Sequence, residues 1–171
     1  MIFSSRAEFR YPIEPAPRTA VLVDWFGQSW FKAAVRVFPR GWCEEARQSS
    51  PAAIAGTLDQ LLKLAEGVNP PVPTHALVVL ARMDQPMLSA SDRERLWRAF
   101  RVPLFEQVIG LRGELLAAEC EAHAGLHIET PGLVWAGYGI ETAQCACGRA
   151  TPRLAPVDRV EPVRSVAAYA R

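Results

Sequence analysis

The chain has 171 residues, half of them apolar and 22% charged, with a formal net charge of +1. A chain of this length can bury a core as one domain, and we expect a single domain over residues 1–171. The balanced charge gives no indication of binding to nucleic acid or to an anionic membrane surface. No apolar run approaches the roughly 20 residues of a membrane span, and residues 1–18 do not resemble a signal peptide. We therefore expect a cytoplasmic protein, whose four cysteines are metal ligands or free thiols rather than disulfides.

The N-terminal third of the chain mixes one strand pattern with one strong helix pattern. Residues 1–18 contain three prolines and predict an extended arm. Residues 20–26 are rich in β-branched and aromatic side chains and predict a strand, and residues 29–37 suggest a short helix. Residues 40–50 read as a connection. Residues 51–68 have apolar side chains at helical spacing and predict the longest helix of the chain.

The middle of the chain predicts one parallel crossover unit. Residues 76–81 form a continuous apolar run, which is typical of a strand buried on both faces. A helix over 91–100 and a strand over 102–109 follow. Strand, helix and strand in succession form a parallel βαβ unit. The expected fold class is therefore α/β, with a small, mainly parallel sheet and flanking helices.

The C-terminal part has a different pattern. Residues 115–121, 126–129 and 133–138 predict antiparallel strands, and we expect them to form a hairpin region that carries zinc. The tail over 152–171 contains three prolines and is expected to pack loosely, with 156–171 as a second extended arm.

Three of the four cysteines and two of the three histidines lie within 28 positions of this C-terminal part. They are Cys120, His123, His127, Cys145 and Cys147. Zn²⁺ prefers thiolate and imidazole ligands, and a structural site closes with four of them. Five candidates compete for four places, and the alternative is a set of buried thiols and hydrogen-bonded histidines. A catalytic zinc ion would need only three protein ligands, which the number of candidates does not favour.

Hairpin geometry distinguishes the two histidines. If the hairpin turns at His123 and Ala124, Cys120 lies opposite His127, and directly opposed side chains are close enough to bind one ion. We therefore predict Cys120, His127, Cys145 and Cys147 as the zinc ligands, with His123 as the alternate ligand if the register differs.

Two segments resemble a known family. Glu-Cys-Glu-Ala-His-Ala-Gly-Leu-His-Ile over 119–128, followed by Cys-Ala-Cys-Gly-Arg-Ala-Thr-Pro-Arg-Leu over 145–154, is similar to paired segments of the phenylacetate–CoA ligase-like branch of the adenylate-forming enzymes. The likeness extends over about 55–155 and resembles only the central, zinc-bearing part of such an enzyme. It implies a structural zinc ion, together with binding of ATP or AMP and of a small aryl acid.

The sequence departs from this family where the family binds nucleotide. It has no Ser/Thr/Gly-rich phosphate loop, and the motif that would contact adenine and magnesium is reduced to Gly110 and Glu114. Glu114 is the one candidate ligand for magnesium or nucleotide. The family's C-terminal domain, which carries the catalytic lysine, would have to follow Arg153. Adenylation needs groups that hold the phosphates and stabilise developing charge, and we assign no catalytic residue.

These observations favour a zinc-stabilised, non-catalytic binding or accessory module. Aromatic side chains between residues 25 and 42 are expected to fill the core and to form an interface with a second copy or with a protein partner. The alternative is a component of an acyl- or aryl-adenylate-forming ligase that retains nucleotide or aryl-acid binding and works with a partner subunit. An altered enzyme chemistry would use Asp24, Asp84, Glu106 or Glu114 near the strand ends.

Overall fold

The computed structural model describes residues 7–27, 34–132 and 138–156. Within these ranges one mixed sheet is flanked by three helices. The strands in chain order are β1 (Thr19–Val21), β2 (Val35–Val37), β3 (Ala53–Gly56), β4 (Ala76–Arg82), β5 (Leu104–Ile109), β6 (Leu115–Glu119), β7 (Leu126–Ile128), β8 (Tyr138–Glu141) and β9 (Arg153–Pro156). The helices are α1 (Glu44–Gln48), α2 (Leu58–Ala65) and α3 (Ala90–Phe100). None of the helices described is long and apolar enough to cross a membrane.

The sheet has a parallel half and an antiparallel half. Its strand order is β2-β1-β3-β4-β5-β6-β7-β9-β8. The pairings from β2 to β5 are parallel, and those from β5 to β8 are antiparallel. The β4–α3–β5 crossover is the predicted parallel unit. The α/β fold class is thus confirmed, with the cysteine and histidine side chains in the C-terminal antiparallel region.

The parallel half has a buried core on each face. One face packs with α2 and α3 through Leu61 and Leu96, which are fully buried. The other face is covered by the segment before β1, where Phe9 and Tyr11 are buried against β4 and β5. Residues 7–18 therefore cover the sheet although they contain no helix or strand. The remainder of the predicted arms, at 1–6 and 157–171, lies outside the described residues.

The long helix predicted over 51–68 is wrong in its first part. Ile54 belongs to β3, which pairs in parallel with both β1 and β4, and α2 begins only after Thr57. The Thr57 hydroxyl accepts a hydrogen bond from the Gln60 N–H, and the Gln60 side chain accepts one from the Thr57 N–H. This capping box fixes the start of the helix, while pairing with two neighbouring strands overrides helix propensity upstream.

Three other predicted elements differ from the structure. The described part of the 29–37 segment contains β2 rather than a helix, because Val35 and Val37 are buried and Arg36 between them is exposed. The connection over 40–50 contains α1. The described part of the predicted tail, residues 152–156, does not pack loosely, since β9 lies inside the sheet between β7 and β8. The predicted strand over 133–138 falls mostly outside the described residues.

Candidate metal centre

Four side chains from three separate segments converge beside the antiparallel half of the sheet. Cys120 follows β6, His127 is the central residue of β7, and Cys145 and Cys147 lie in the loop before β9. One potential ligand atom from each of them lies within 4.8 Å of all the others. Cys120, His127 and Cys145 are buried, and Cys147 is partly buried. A set of three sulfur atoms and one imidazole nitrogen is a common composition for structural zinc.

Two distances test whether this group fits a tetrahedral metal ion. The sulfur atoms of Cys120 and Cys145 are 3.7 Å apart, and the Cys147 sulfur is 3.4 Å from His127 Nε2. With Zn–S bonds of about 2.3 Å and Zn–N bonds of about 2.0 Å, tetrahedral angles place two sulfurs about 3.8 Å apart and sulfur and nitrogen about 3.5 Å apart. These two pairs of ligand atoms therefore have the spacing of a tetrahedral zinc site.

The His127 ring is oriented by a residue of the loop before β9. Its Nδ1 lies 3.1 Å from the Thr151 carbonyl oxygen and 2.8 Å from the Thr151 hydroxyl. Because a carbonyl can only accept, this contact assigns the ring proton to Nδ1 and leaves the Nε2 lone pair directed at the cluster. Metal-bound histidines are held in this way by a second hydrogen bond. The sequence reasoning missed Thr151, and only its position shortly after the Cys-x-Cys pair could have indicated its role.

The thiols of the cluster differ in acidity. The backbone N–H of Cys147 is directed at the Cys145 sulfur and lowers the pKa of Cys145 to about 6. Burial raises the pKa of Cys120. A bound cation would favour the thiolate form of these sulfurs, which is the form that binds metal.

The hairpin that carries the first two ligands has a different register from the one predicted. Ala118, not Cys120, lies opposite His127. The connection is longer than a two-residue turn, since residues 120–125 lie between the paired Glu119 and Leu126. A difference of two residues keeps the same face of the strand. Cys120 is therefore on the face of His127 despite the incorrect register.

The structure does not bring His123 into the cluster. Its Nδ1 lies 3.0 Å from Glu119 Oε1, and its ring stacks on Phe105 with 5.2 Å between centroids. These contacts hold the imidazole against residues of β6 and β5, and His123 is not among the four clustered ligand residues.

Glu114, the candidate nucleotide or magnesium ligand, lies away from the cluster in the β5–β6 connection. Its carboxylate accepts a hydrogen bond of 2.8 Å from the Arg112 N–H and packs directly over Gly110. Beside it, the Arg82 guanidinium donates to the Gly110 carbonyl oxygen and lies 3.8 Å from the centre of the Trp25 ring. Side chains of the chain itself thus pack together around Gly110, at one part of the carboxyl ends of β4 and β5.

A second polar group surrounds Arg93 on α3. Its guanidinium lies 2.9 Å from the Glu119 carboxylate and 3.5 Å from that of Glu106, and both carboxylates are almost fully buried. Burial raises the pKa of Glu106 to about 7, against the opposing effects of the Leu88 N–H and Arg93. This group lines a cleft of about 590 Å³. The other carboxylates considered for altered chemistry, Asp24 and Asp84, are exposed.

No protein-family model matches the chain, and no curated protein sequence matches it. Among solved structures, the chain is similar to 2-hydroxyisobutyryl-CoA ligase in an open conformation with 2-HIB-AMP and CoA, with 17% sequence identity and a TM-score of 0.58. That similarity covers 89% of this chain and 47% of the ligase. The chain also matches the R395G mutant form of coronafacic acid ligase from Pectobacterium brasiliense, with 16% identity over 78% of this chain and 29% of the ligase. The TM-score of this second match is only 0.40, which is too low to support a common fold. The chain thus spans about half the length of the first ligase and has a similar fold over that part.

Proposed function

We propose that this chain is a zinc-stabilised binding module with an adenylate-forming ligase fold, in which Cys120, His127, Cys145 and Cys147 hold one structural Zn²⁺ ion. The observation that carries the proposal is the convergence of four ligand atoms within 4.8 Å, at separations suited to a tetrahedral ion. Four protein ligands leave no coordination position for water or substrate, so the ion would have a structural role.

The ion would cross-link segments that are distant in the chain. Cys120 ends the β6 segment, His127 is in β7, and Cys145 and Cys147 precede β9. The neighbouring apolar core of this half is small, with Val108, Leu116, Ala117, Leu126 and Leu154 as its buried members. A small core stabilises a fold weakly, and a metal ion can supply the missing stability.

A non-catalytic role is supported by the part of the strand ends around Gly110, where β4 and β5 finish. Ligands of open α/β sheets bind at such strand ends. Here Arg82 packs on Trp25 and hydrogen-bonds to Gly110, and Glu114 is engaged in its own connection. We infer that the described part of the chain acts by binding a protein partner or a second copy, and that its ancestry is in the phenylacetate–CoA ligase-like branch. Light scattering tests this inference by measuring the molar mass of the purified chain alone and of the complexes recovered by affinity capture.

The metal proposal is tested by measuring zinc content and the cobalt spectrum. Protein purified without chelator is expected to contain one zinc ion per chain, and replacement by Co²⁺ should give the absorption of a tetrahedral site with three thiolates. Cys145→Ser and His127→Ala should lose the metal, whereas Cys43→Ser and His123→Ala should keep it. Zinc-free wild-type protein that folds normally and gains no stability from added Zn²⁺ would show the proposal to be wrong.

A second candidate function is that of a ligase component that retains small-molecule binding. A cavity of about 230 Å³ lies at the carboxyl ends of β3 and β4, lined by residues that include Thr57, Asp59, Val79, Ala81, Gln85 and Glu106. Its size suits a small acid rather than a whole nucleotide. Calorimetric titration with benzoate, AMP and Mg·ATP distinguishes the two functions. Saturable binding would favour the ligase component, and absence of binding by all three would favour the non-catalytic module.

A further inference from the structure

The three cysteine sulfurs of the candidate metal centre are close enough to react with one another. The sulfurs of Cys120 and Cys145 are 3.7 Å apart, and the Cys147 sulfur lies within 4.8 Å of both. The two sulfurs of a disulfide are about 2.0 Å apart, so an approach of about 2 to 3 Å would join any two of these three. A small movement of side chains is therefore enough to form a disulfide inside the cluster.

Cys147 is the most exposed of these three residues. It is partly exposed, in the loop before β9, whereas Cys120 and Cys145 are 0% and 4% exposed. Three thiolates outweigh the charge of one Zn²⁺ ion, so the sulfurs of the loaded site stay electron-rich. The thiolate is the nucleophilic form of cysteine, and its oxidation increases with its exposure to solvent. An oxidant in solution will therefore reach Cys147 first.

Cys43 has a similar exposure but a different chemical state. It is also partly exposed, and its sulfur donates a hydrogen bond of 3.5 Å to Glu45 Oε2. A carboxylate accepts such a bond only from the protonated thiol, which is the less reactive form. The chain thus contains a partly exposed thiol outside the cluster, against which the reactivity of Cys147 can be compared.

We propose that Cys147 is a site of oxidation by hydroperoxides, and that its oxidation releases the zinc ion from the centre. The inference rests on the proposed metal binding and goes beyond it, since a structural role alone assigns no reactivity to the cysteines. The Cys147 thiolate attacks one oxygen of hydrogen peroxide, so an S–O bond forms, the O–O bond breaks and hydroxide leaves. The sulfur is oxidised by two electrons to a sulfenic acid, and the peroxide is reduced.

Cys120 completes the reaction as the second thiol. Its thiolate attacks the Cys147 sulfur, so the S–S bond forms, the S–O bond breaks and a second hydroxide leaves. Each hydroxide takes a proton from the solvent, so two thiolates, one peroxide and two protons give one disulfide and two water molecules. Cys145 is the poorer partner, because a disulfide between residues separated by one position closes a small and strained ring. Cys145 and His127 then remain, and two ligands do not hold a structural zinc ion.

The test treats the full chain, loaded with zinc and freed of excess metal, with hydrogen peroxide in the presence of a chromogenic zinc chelator. We expect the wild type to release one zinc ion per chain as it loses two thiols, and unreduced peptide mass spectrometry to find Cys120 joined to Cys147. Reduction of the disulfide followed by addition of Zn²⁺ should restore the metal. Cys147→His keeps a fourth zinc ligand without the exposed thiolate and should release zinc at least about tenfold more slowly. Cys43→Ser is the control and should behave as the wild type.

Three results would overturn the proposal: zinc that stays bound while Cys43 is oxidised, zinc release without a disulfide that contains Cys147, or release from Cys147→His at the wild-type rate. Mapping the disulfide of the wild type decides the question even if Cys147→His does not hold zinc. Zinc content is measured before peroxide is added. A chain without zinc at that stage would contradict the metal proposal, whereas a loaded chain that keeps its zinc in peroxide would contradict this proposal alone.

Discussion

The buried carboxyl group of Glu106 is expected to make stability depend on pH. Its side chain is 2% exposed, and burial raises its pKa from an ordinary value of 4.5 to about 7. A carboxyl group whose pKa is higher in the folded state than in the unfolded state stabilises the fold when it is protonated. This stabilisation disappears when the folded protein loses that proton. Its contribution is therefore complete below about pH 4.5 and is lost as the pH rises through about 7.

The size of this effect follows from the pKa values. A tenfold change in proton affinity corresponds to about 1.4 kcal/mol, so a rise from 4.5 to about 7 corresponds to about 3 kcal/mol between the two ends of the range. Glu106→Gln removes the ionisation and retains an oxygen that can accept the Leu88 N–H. We expect the variant to match the wild type near pH 4.5 and to be more stable by about 3 kcal/mol near pH 8.

Urea unfolding of both proteins between pH 4.5 and pH 8.5 measures this difference directly. Subtracting one free energy of unfolding from the other removes pH effects common to both proteins, including protonation of metal ligands. Glu94→Gln, at an exposed position paired with Arg98, should show a difference of less than about 0.5 kcal/mol throughout. A Glu106→Gln difference that does not change with pH would refute the reasoning.

Four further substitutions test three separate features of the structure. Thr151→Val removes the hydroxyl that orients His127. We expect zinc affinity, measured by competition with a chelator, to fall about 10- to 100-fold. Unchanged affinity would exclude an orienting role for the hydroxyl. Arg93→Met leaves two buried carboxylates without their cation. The variant should lose about 3 kcal/mol of unfolding free energy in urea near pH 8, and less at a pH where Glu106 is protonated. A loss below about 1 kcal/mol near pH 8 would contradict the ion pairing. Gly113→Ala and Gly132→Ala form a matched pair, with φ of 85° and 79°, but only the first would place a Cβ 2.5 Å from a backbone oxygen. Thermal unfolding should therefore show Gly113→Ala to be the less stable variant by about 2 kcal/mol, and equal losses would argue against the contact.

The parts of the fold that the sequence predicted well depend on local patterns. β4 has a continuous apolar run and is buried on both faces. The helix predicted over 91–100 lies within one residue of α3 (Ala90–Phe100), and Asp92 is in its first turn, where an acidic side chain is favourable. Such signals are contained within a few neighbouring residues and need no knowledge of the rest of the chain.

The errors occur where pairing partners are distant in the chain. The helix predicted over 51–68 includes β3 because Ile54 continues the apolar spacing of α2, whereas the helix begins at the capping box of Thr57 and Gln60. β9 contains two prolines within or beside it, and its strand conformation depends on pairing with β7 and β8. In the candidate metal centre the four residues could be nominated from their types and spacing. The hairpin register and the role of Thr151 arise from tertiary contacts that spacing does not encode.

The interior position of β9 has a consequence for the order of folding during synthesis. β7 pairs with β9 on the side away from β6, and β8 pairs with β9 in the sheet order. Until residues 153–156 have been made, β7 is an open edge and β8 lacks the neighbour that joins it to the sheet. Exposed strand edges are sites of unwanted association, and nascent chains are vulnerable to it. The parallel half of the sheet can therefore form first. The antiparallel half can be completed only after residues 153–156 have been synthesised.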